Sequence, residues 1–172
     1  MQSLAPDSSG ASALARREGS LPEEDVLAIL AGAKAMHRAA GGGAPGRSLR
    51  GRHIGLLCDQ PAGDAIELLR LSVAELGGRL AHVRSQLPAS NTTEELGKLA
   101  QVLGRLYDAI ECQGLDAWQV QHLARNAGVP VFDGIATASH PTARLVARLD
   151  CEAAEADKRR LVLKAALLHA LG

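Results

Sequence analysis

Aromatic side chains are almost missing from this chain: its 172 residues include one tyrosine (Tyr107), one tryptophan (Trp118) and one phenylalanine (Phe132). So few rings exclude a stacking platform for single-stranded nucleic acid. Net charge is missing as well. The 19 Lys and Arg balance 19 Asp and Glu, and the isoelectric point is near 7.0. That balance argues against the clustered positive surface that nucleic acid or an anionic membrane would need. No apolar run approaches the roughly 18 residues of a membrane-spanning helix. The first 19 residues carry Arg16-Arg17 but no apolar stretch, so they do not read as a secretory signal. Cysteine is scarce, an odd set of Cys58, Cys112 and Cys151 without CxxC spacing. That suits a reducing cytoplasm better than a disulfide scaffold. What is present is aliphatic: 47% of residues are hydrophobic, in a length typical of one domain. The expectation is a cytoplasmic domain with no cofactor, no metal, no nucleic acid and no membrane among its partners.

Residues 1–19 are rich in Ser, Gly, Ala and Pro without periodicity and read as a disordered lead-in. Ser20-Leu21-Pro22-Glu23 has the form of a capping box, and Val26, Leu30, Ala33 and Met36 follow at helical spacing, which predicts a helix over about 21–38. The run from Gly41 to Gly46 ends it as a flexible connector. From there the pattern alternates. Short apolar runs at 53–58, 80–83, 108–112 and 129–132 are separated by helix-period segments at about 64–77, 93–106 and 116–127, with another beginning near 140. This rhythm predicts βαβ units: an α/β, Rossmann-like, three-layer domain with a four-stranded parallel sheet flanked by helices. Ligands of such sheets bind beyond the carboxyl ends of the strands, which directs attention to 58–66, 84–92, 112–117 and 133–142. A last helix, 152–171, is charged at its front and apolar at its rear, and is expected to bury only the rear.

Four stretches resemble the ornithine and aspartate carbamoyltransferases, most of all the ornithine type. The run from Leu49-Arg50-Gly51-Arg52 to Leu76-Gly77-Gly78 is similar to the family's first strand and helix, which opens "LKGK" and closes "QLGG". Val102-Leu103-Gly104-Arg105-Leu106-Tyr107-Asp108-Ala109-Ile110 resembles "VLSRYVDAI". The stretch Gly128-Val129-Pro130-Val131-Phe132-Asp133-Gly134, running on to His140-Pro141-Thr142, resembles "GVPVINGL…HPTQ". The tail from Ala156 to Leu168 is similar to the family's final helix, "AENRLHTIKALM". The resemblance implies a carbamoyl-phosphate-binding domain over 20–149 and a C-terminal helix over 150–172 packing on it. The family's second domain, which binds the amino-acid substrate, has no counterpart between Leu149 and that helix.

The resemblance breaks at the ligand. After the proline of the first strand–helix turn the family carries Ser-Thr-Arg-Thr-Arg, whereas Pro61 here is followed by Ala62, Gly63, Asp64, Ala65 and Ile66. A helix N-terminus offers unpaired N–H groups and partial positive charge, and the hydroxyls and guanidiniums complete the phosphate cradle. Each charge-assisted bond is worth about 1.5–3 kcal/mol, so losing two arginines removes about 3–6 kcal/mol, roughly a hundred- to ten-thousand-fold in affinity. Asp64 adds a carboxylate, one well suited to the first turn of its own helix. Gln113-Gly114 replaces the family's Arg-Gly, Lys98-Leu99 its Asp-Thr, and Ala143 the Gln after the His-Pro-Thr motif. Only His140, Pro141 and Thr142 remain as carbamoyl-phosphate contacts, and the resemblance gives that histidine the role of donor to the carbamoyl oxygen.

Plainer readings accompany each residue. His140 before Pro141 also suits a turn that merely starts a helix. Cys58, Cys112 and His140 fall near strand ends and would make a thiol or metal site only if they converge. The other histidines show no paired ligand spacing, and Arg47, Arg50 and Arg52 read as a solvated strand entry. Asp59, Asp64 and Glu67 read as acids complementing a helix dipole, with a cation or amine site as the alternative. No catalytic residue is assigned. The functional expectation is a degenerate, non-catalytic ornithine carbamoyltransferase-like protein acting as an assembly or regulatory module. Its partners would be copies of itself, as a homotrimer, or a related active enzyme in a hetero-oligomer. The alternatives are a carbamoyltransferase subunit completed by another chain, and a small-molecule binder using the remodelled loop.

Overall fold

Five of the six residues of β1 (His53–Cys58) are buried, because this strand lies inside the sheet and is covered on both faces. A computed structural model describes residues 19–40, 48–84 and 92–172. The lead-in, the glycine-rich connector, Arg47 and most of the 84–92 segment lie outside the described residues. The element order is α1 (Glu23–Ala40), β1, α2 (Asp64–Glu75), β2 (Arg79–Arg84), α3 (Thr93–Leu106), β3 (Ala109–Cys112), α4 (Ala117–Asn126), β4 (Val131–Asp133), a 3-10 helix (Pro141–Arg148) and α5 (Glu155–Leu171). The four strands pair in parallel in the order β2-β1-β3-β4.

Strand residues point alternately to the two faces, and the burial follows. Ile54, Leu56 and Cys58 of β1, Ala109 of β3 and Phe132 of β4 enter one core with α1, α2, the 3-10 helix and α5. Leu57, Ile110, Cys112 and Val131 enter a second core with α3 and α4. The expected three layers are therefore present. β2 is an edge strand, with Arg79, His82 and Arg84 exposed.

Two glycines sit where a side chain has no room. A Cβ on Gly55, in mid-β1, would lie 2.8 Å from the Tyr107 ring. A Cβ on Gly104 would lie 1.8 Å from the Ala127 carbonyl, so this glycine sets how closely α3 and α4 approach. Helix starts are locally encoded: Thr92 and Glu95 form a reciprocal capping box at α3, and the Asp116 N–H donates to Gln119 Oε1 at 3.0 Å at α4.

Differences from the sequence expectation are small and physical. α1 begins at Glu23, and its first helical bond runs from the Val26 N–H to the Pro22 carbonyl, so Pro22 rather than Ser20 supplies the first acceptor. β4 begins at Val131 because Pro130 has no N–H to give the ladder; only its carbonyl joins, accepting from Ile110 at 2.9 Å. The segment near 140 is a 3-10 helix. α5 departs most, because its centre is buried on every side: the seven residues from Leu161 to Leu167, Lys164 included, are all buried. Of its charged front, Lys158, Arg159 and Arg160 are half-buried, whereas Glu155 and Asp157 stay exposed.

Candidate functional site

The carboxyl edge of the sheet brings together the β1–α2 turn, the end of β3, the 134–142 loop and, unexpectedly, the front of α5. After Cys58 the chain runs through Asp59, Gln60, Pro61, Ala62 and Gly63, all exposed, into α2. Asp64 and Glu67 on its first turn are exposed, and Glu67 pairs with Arg70 at 3.3 Å. Ile66 is only 3% exposed and belongs to the α1/α2/α5 core. Ile66 is thus turned inward and offers the turn no polar group.

On β3 the fully buried Glu111 sits in an otherwise apolar strand. Its carboxylate accepts from Gln113 Nε2 and from the Ile135 N–H, each at 3.3 Å, tying β3 to the start of the 134–142 loop. Burial, then Asp59, then Glu111 push the Cys58 thiol up. Burial with Glu111 and Asp133 pushes Cys112 well up. Neither is a poised nucleophile. The two also do not converge: Cys112 registers beside Leu57 on the α3/α4 face, while Cys58 points into the opposite core. The possible thiol or metal site at Cys58, Cys112 and His140 is therefore not assembled, and among the described residues no group of three or more His, Cys, Asp or Glu side chains could hold a metal ion.

His140, Pro141 and Thr142 are all buried. His140 caps the 3-10 helix, with Pro141 at its first position. The Thr142 N–H, which can only donate, reaches His140 Nδ1 at 3.3 Å. In that bond Nδ1 is the acceptor. The Thr142 hydroxyl lies 3.0 Å from the same Nδ1 and 3.2 Å from the Ile135 carbonyl. Its single proton serves one of them at a time.

Arg159, from the front of α5, completes the turn. Its guanidinium donates to the carbonyls of Ile135 at 3.0 Å and Thr137 at 3.2 Å, and to Thr142 Oγ1 at 3.3 Å. Burial pushes Arg159 down to about 10, so it stays charged at neutral pH, and the three acceptors offset its desolvation. Sequence reasoning passed over both Glu111 and Arg159. The signals existed: a carboxylate inside an apolar strand, and an arginine within the quoted tail motif.

The remaining sequence candidates are dispersed. Arg52 pairs with Asp108 at 2.8 Å at the amino edge, and Arg50 is exposed. His82 Nε2 lies 2.9 Å from the Cys58 carbonyl. His169 Nε2 lies 2.7 Å from Oδ1 of the buried Asp25, linking α5 to α1. Among the described residues no helix is long and apolar enough to cross a membrane.

The α/β fold agrees with comparison to known proteins. Residues 18–150 match the family described as aspartate/ornithine carbamoyltransferase, carbamoyl-P binding domain, and the chain belongs to that family. An ornithine carbamoyltransferase of Haemophilus influenzae (strain PittGG) is 29% identical over 123 residues, 72% of this chain and 37% of that protein. A catabolic ornithine carbamoyltransferase of Clostridium perfringens (strain 13 / Type A) is 36% identical over 98 residues, 56% of this chain and 29% of that one. The crystallised ornithine carbamoyltransferase from Pyrococcus furiosus superposes with a TM-score of 0.61 at 28% identity, covering 73% of this chain and 40% of that one. The chain thus spans about a third of the length of the curated relatives it matches.

Proposed function

We propose that this chain is a carbamoyltransferase-type domain that does not turn over carbamoyl phosphate and acts as an assembly or regulatory module. Its partners would be copies of itself, as a homotrimer, or an active relative in a mixed oligomer. One observation carries the reading. The turn after Pro61 offers no hydroxyl and no cation, carries the Asp64 carboxylate, and commits Ile66 to the core. A dianion would meet a negative side chain at the helix end where its relatives have two arginines. His140-Pro141-Thr142 would be a vestige of the donor site, kept because it also starts the 3-10 helix.

A second reading rests on the same turn. His140 is a buried polar group on that turn, and it could polarise a carbonyl if another chain supplied the missing cations.

Calorimetric and thermal-shift titration with carbamoyl phosphate, with inorganic phosphate as control, separates the two. A ligand bound only by the native state at one hundred times its Kd adds about 2.7 kcal/mol of stability. The expected result is no change in melting temperature up to several millimolar. A rise specific to carbamoyl phosphate below one millimolar would overturn the non-catalytic reading and favour a subunit completed by a partner.

A further inference from the structure

We propose that the outer edge of β2 is a docking site for an extended, acid-flanked segment of a partner protein, which adds a fifth strand to the sheet and lays its apolar side chains against α3. The proposal stands apart from the carbamoyl phosphate reading, because it uses no residue of the His140 turn or of the turn after Pro61.

The main chain supplies the first part of the site. Among the described residues no strand pairs with the outer side of β2. In a parallel pair, successive residues turn their N–H and C=O groups alternately toward the neighbour and away from it. The Arg79 N–H donates to the Arg52 carbonyl at 2.9 Å. Arg79, Ala81 and Val83 therefore bond to β1, and the main chain of Leu80 and His82 faces outward. The register with β1 runs unbroken from Arg79 to Arg84, and the strand holds no proline. Two of the devices that blunt an exposed edge, a bulge and a proline, are thus missing from β2.

Beside this edge lies an apolar flank. Ala81 and Val83, in register with Gly55 and Leu57, share the face on which α3 and α4 pack, and both are only half-buried. Gly97 and Gly104 turn toward α4, where they meet His122 and Ala127. Helical geometry then puts Leu99, Val102 and Leu106 on the opposite flank of α3, the side toward β2. Leu99 is half-buried, whereas Val102 is 54% and Leu106 63% exposed. Among the described residues α1, α2 and α4 each expose one large apolar side chain, Leu27, Leu71 and Trp118, and α3 exposes two, a turn apart on this flank.

Charge chooses the occupant. Arg79 and Arg84 stand exposed at the two ends of β2, and among the described residues no carboxylate pairs with either. A second copy adding its own β2 about a twofold axis would run antiparallel and set arginine against arginine, and like charges directly opposite are destabilising. A strand with carboxylates at its ends and apolar residues at alternate positions meets opposite charge at both ends and an apolar flank between them.

Hydrogen exchange of the whole chain, followed by NMR at low salt, tests this with the synthetic peptide Glu-Val-Thr-Val-Thr-Val-Glu and a control peptide carrying lysine for both glutamates. With the glutamate peptide at about ten times its Kd, the Leu80 and His82 amides should exchange about tenfold more slowly, because only the free form exchanges. The lysine peptide should bind about tenfold more weakly. Val102→Ser with Leu106→Ser should weaken the glutamate peptide about tenfold, whereas Leu27→Ser, at a similarly exposed apolar site on α1, should not change it. No protection at Leu80 and His82, equal binding of the two peptides, or unchanged affinity in the α3 variant would each overturn the proposal. Protection that grows with the chain's own concentration in the absence of peptide would overturn it too, since the occupant would then be a second copy. If the α3 variant does not fold, Arg79→Glu with Arg84→Glu decides: a preference switched to the lysine peptide sustains the site, and an unchanged preference ends it.

Discussion

Close approach and local charge set what single residues tolerate. Gly104→Ala would drive a methyl into the Ala127 carbonyl, 1.8 Å from the ideal Cβ, so either α3 or α4 must shift. The expected cost is about 2–3 kcal/mol in urea denaturation. Gly97→Ala, on the same helix, meets nothing nearer than His122 Nε2 at 3.7 Å and should be neutral or gain up to about 1 kcal/mol from helix propensity. Equal losses for both would contradict the packing described. Asp108 gives a pH test. The His53 N–H and then the Arg52 guanidinium hold its carboxyl below the usual carboxylate range. Favouring the charged form in the folded state adds stability that is complete above the ordinary value of about 3.9 and drains away as pH falls through the lower folded value. Asp108→Asn should therefore lower the urea midpoint at neutral pH, with the gap to wild type closing toward acid. A gap that persists at low pH would assign the effect to packing.

At the scale of elements, α5 is held by clasps of different chemistry. Besides the Arg159 turn, Lys164, with 10% of its side chain exposed, and Arg160 share the two oxygens of Glu75 at the end of α2. His169 meets Asp25 on α1. Glu75→Gln leaves a nearly buried ammonium without its anion and should cost about 1–2 kcal/mol, the partial exposure of Glu75 moderating the penalty. Adding Lys164→Met should return part of that loss, and a double-mutant cycle with no coupling would rule out the clasp. These clasps mark where sequence reading stopped. β1, α3 and the sheet class were legible because apolar period, Gly77-Gly78 and the strand–helix rhythm are local signals. The turn after Pro61 was legible because its missing hydroxyls and cations are visible as letters. His169 with Asp25, and Arg159 with Ile135 and Thr137, join positions far apart in the chain, and no spacing rule connects them. Nor does an apolar stripe reveal that a helix will be enclosed on all sides, since that depends on which elements crowd around it.

Across the whole molecule the two cores differ in how much chain they need. The α3/α4 core draws on residues from Leu57 to Val131, all within the βαβ repeats. The other draws on residues from Val26 to Leu167, closing the first helix against the last. Loop-closure entropy delays distant contacts, so the order of events in folding should differ by face. In refolding followed by pulsed hydrogen exchange, amides of α3 and α4 should gain protection before those of α5. Simultaneous protection would mean that the sheet condenses as one unit. On a ribosome the asymmetry has a plainer consequence. Until α5 has left the exit tunnel, the apolar face of α1 that it packs against lacks its cover, on one side of a sheet whose other side can already be sealed, and a nascent chain in that state is a natural client for a chaperone.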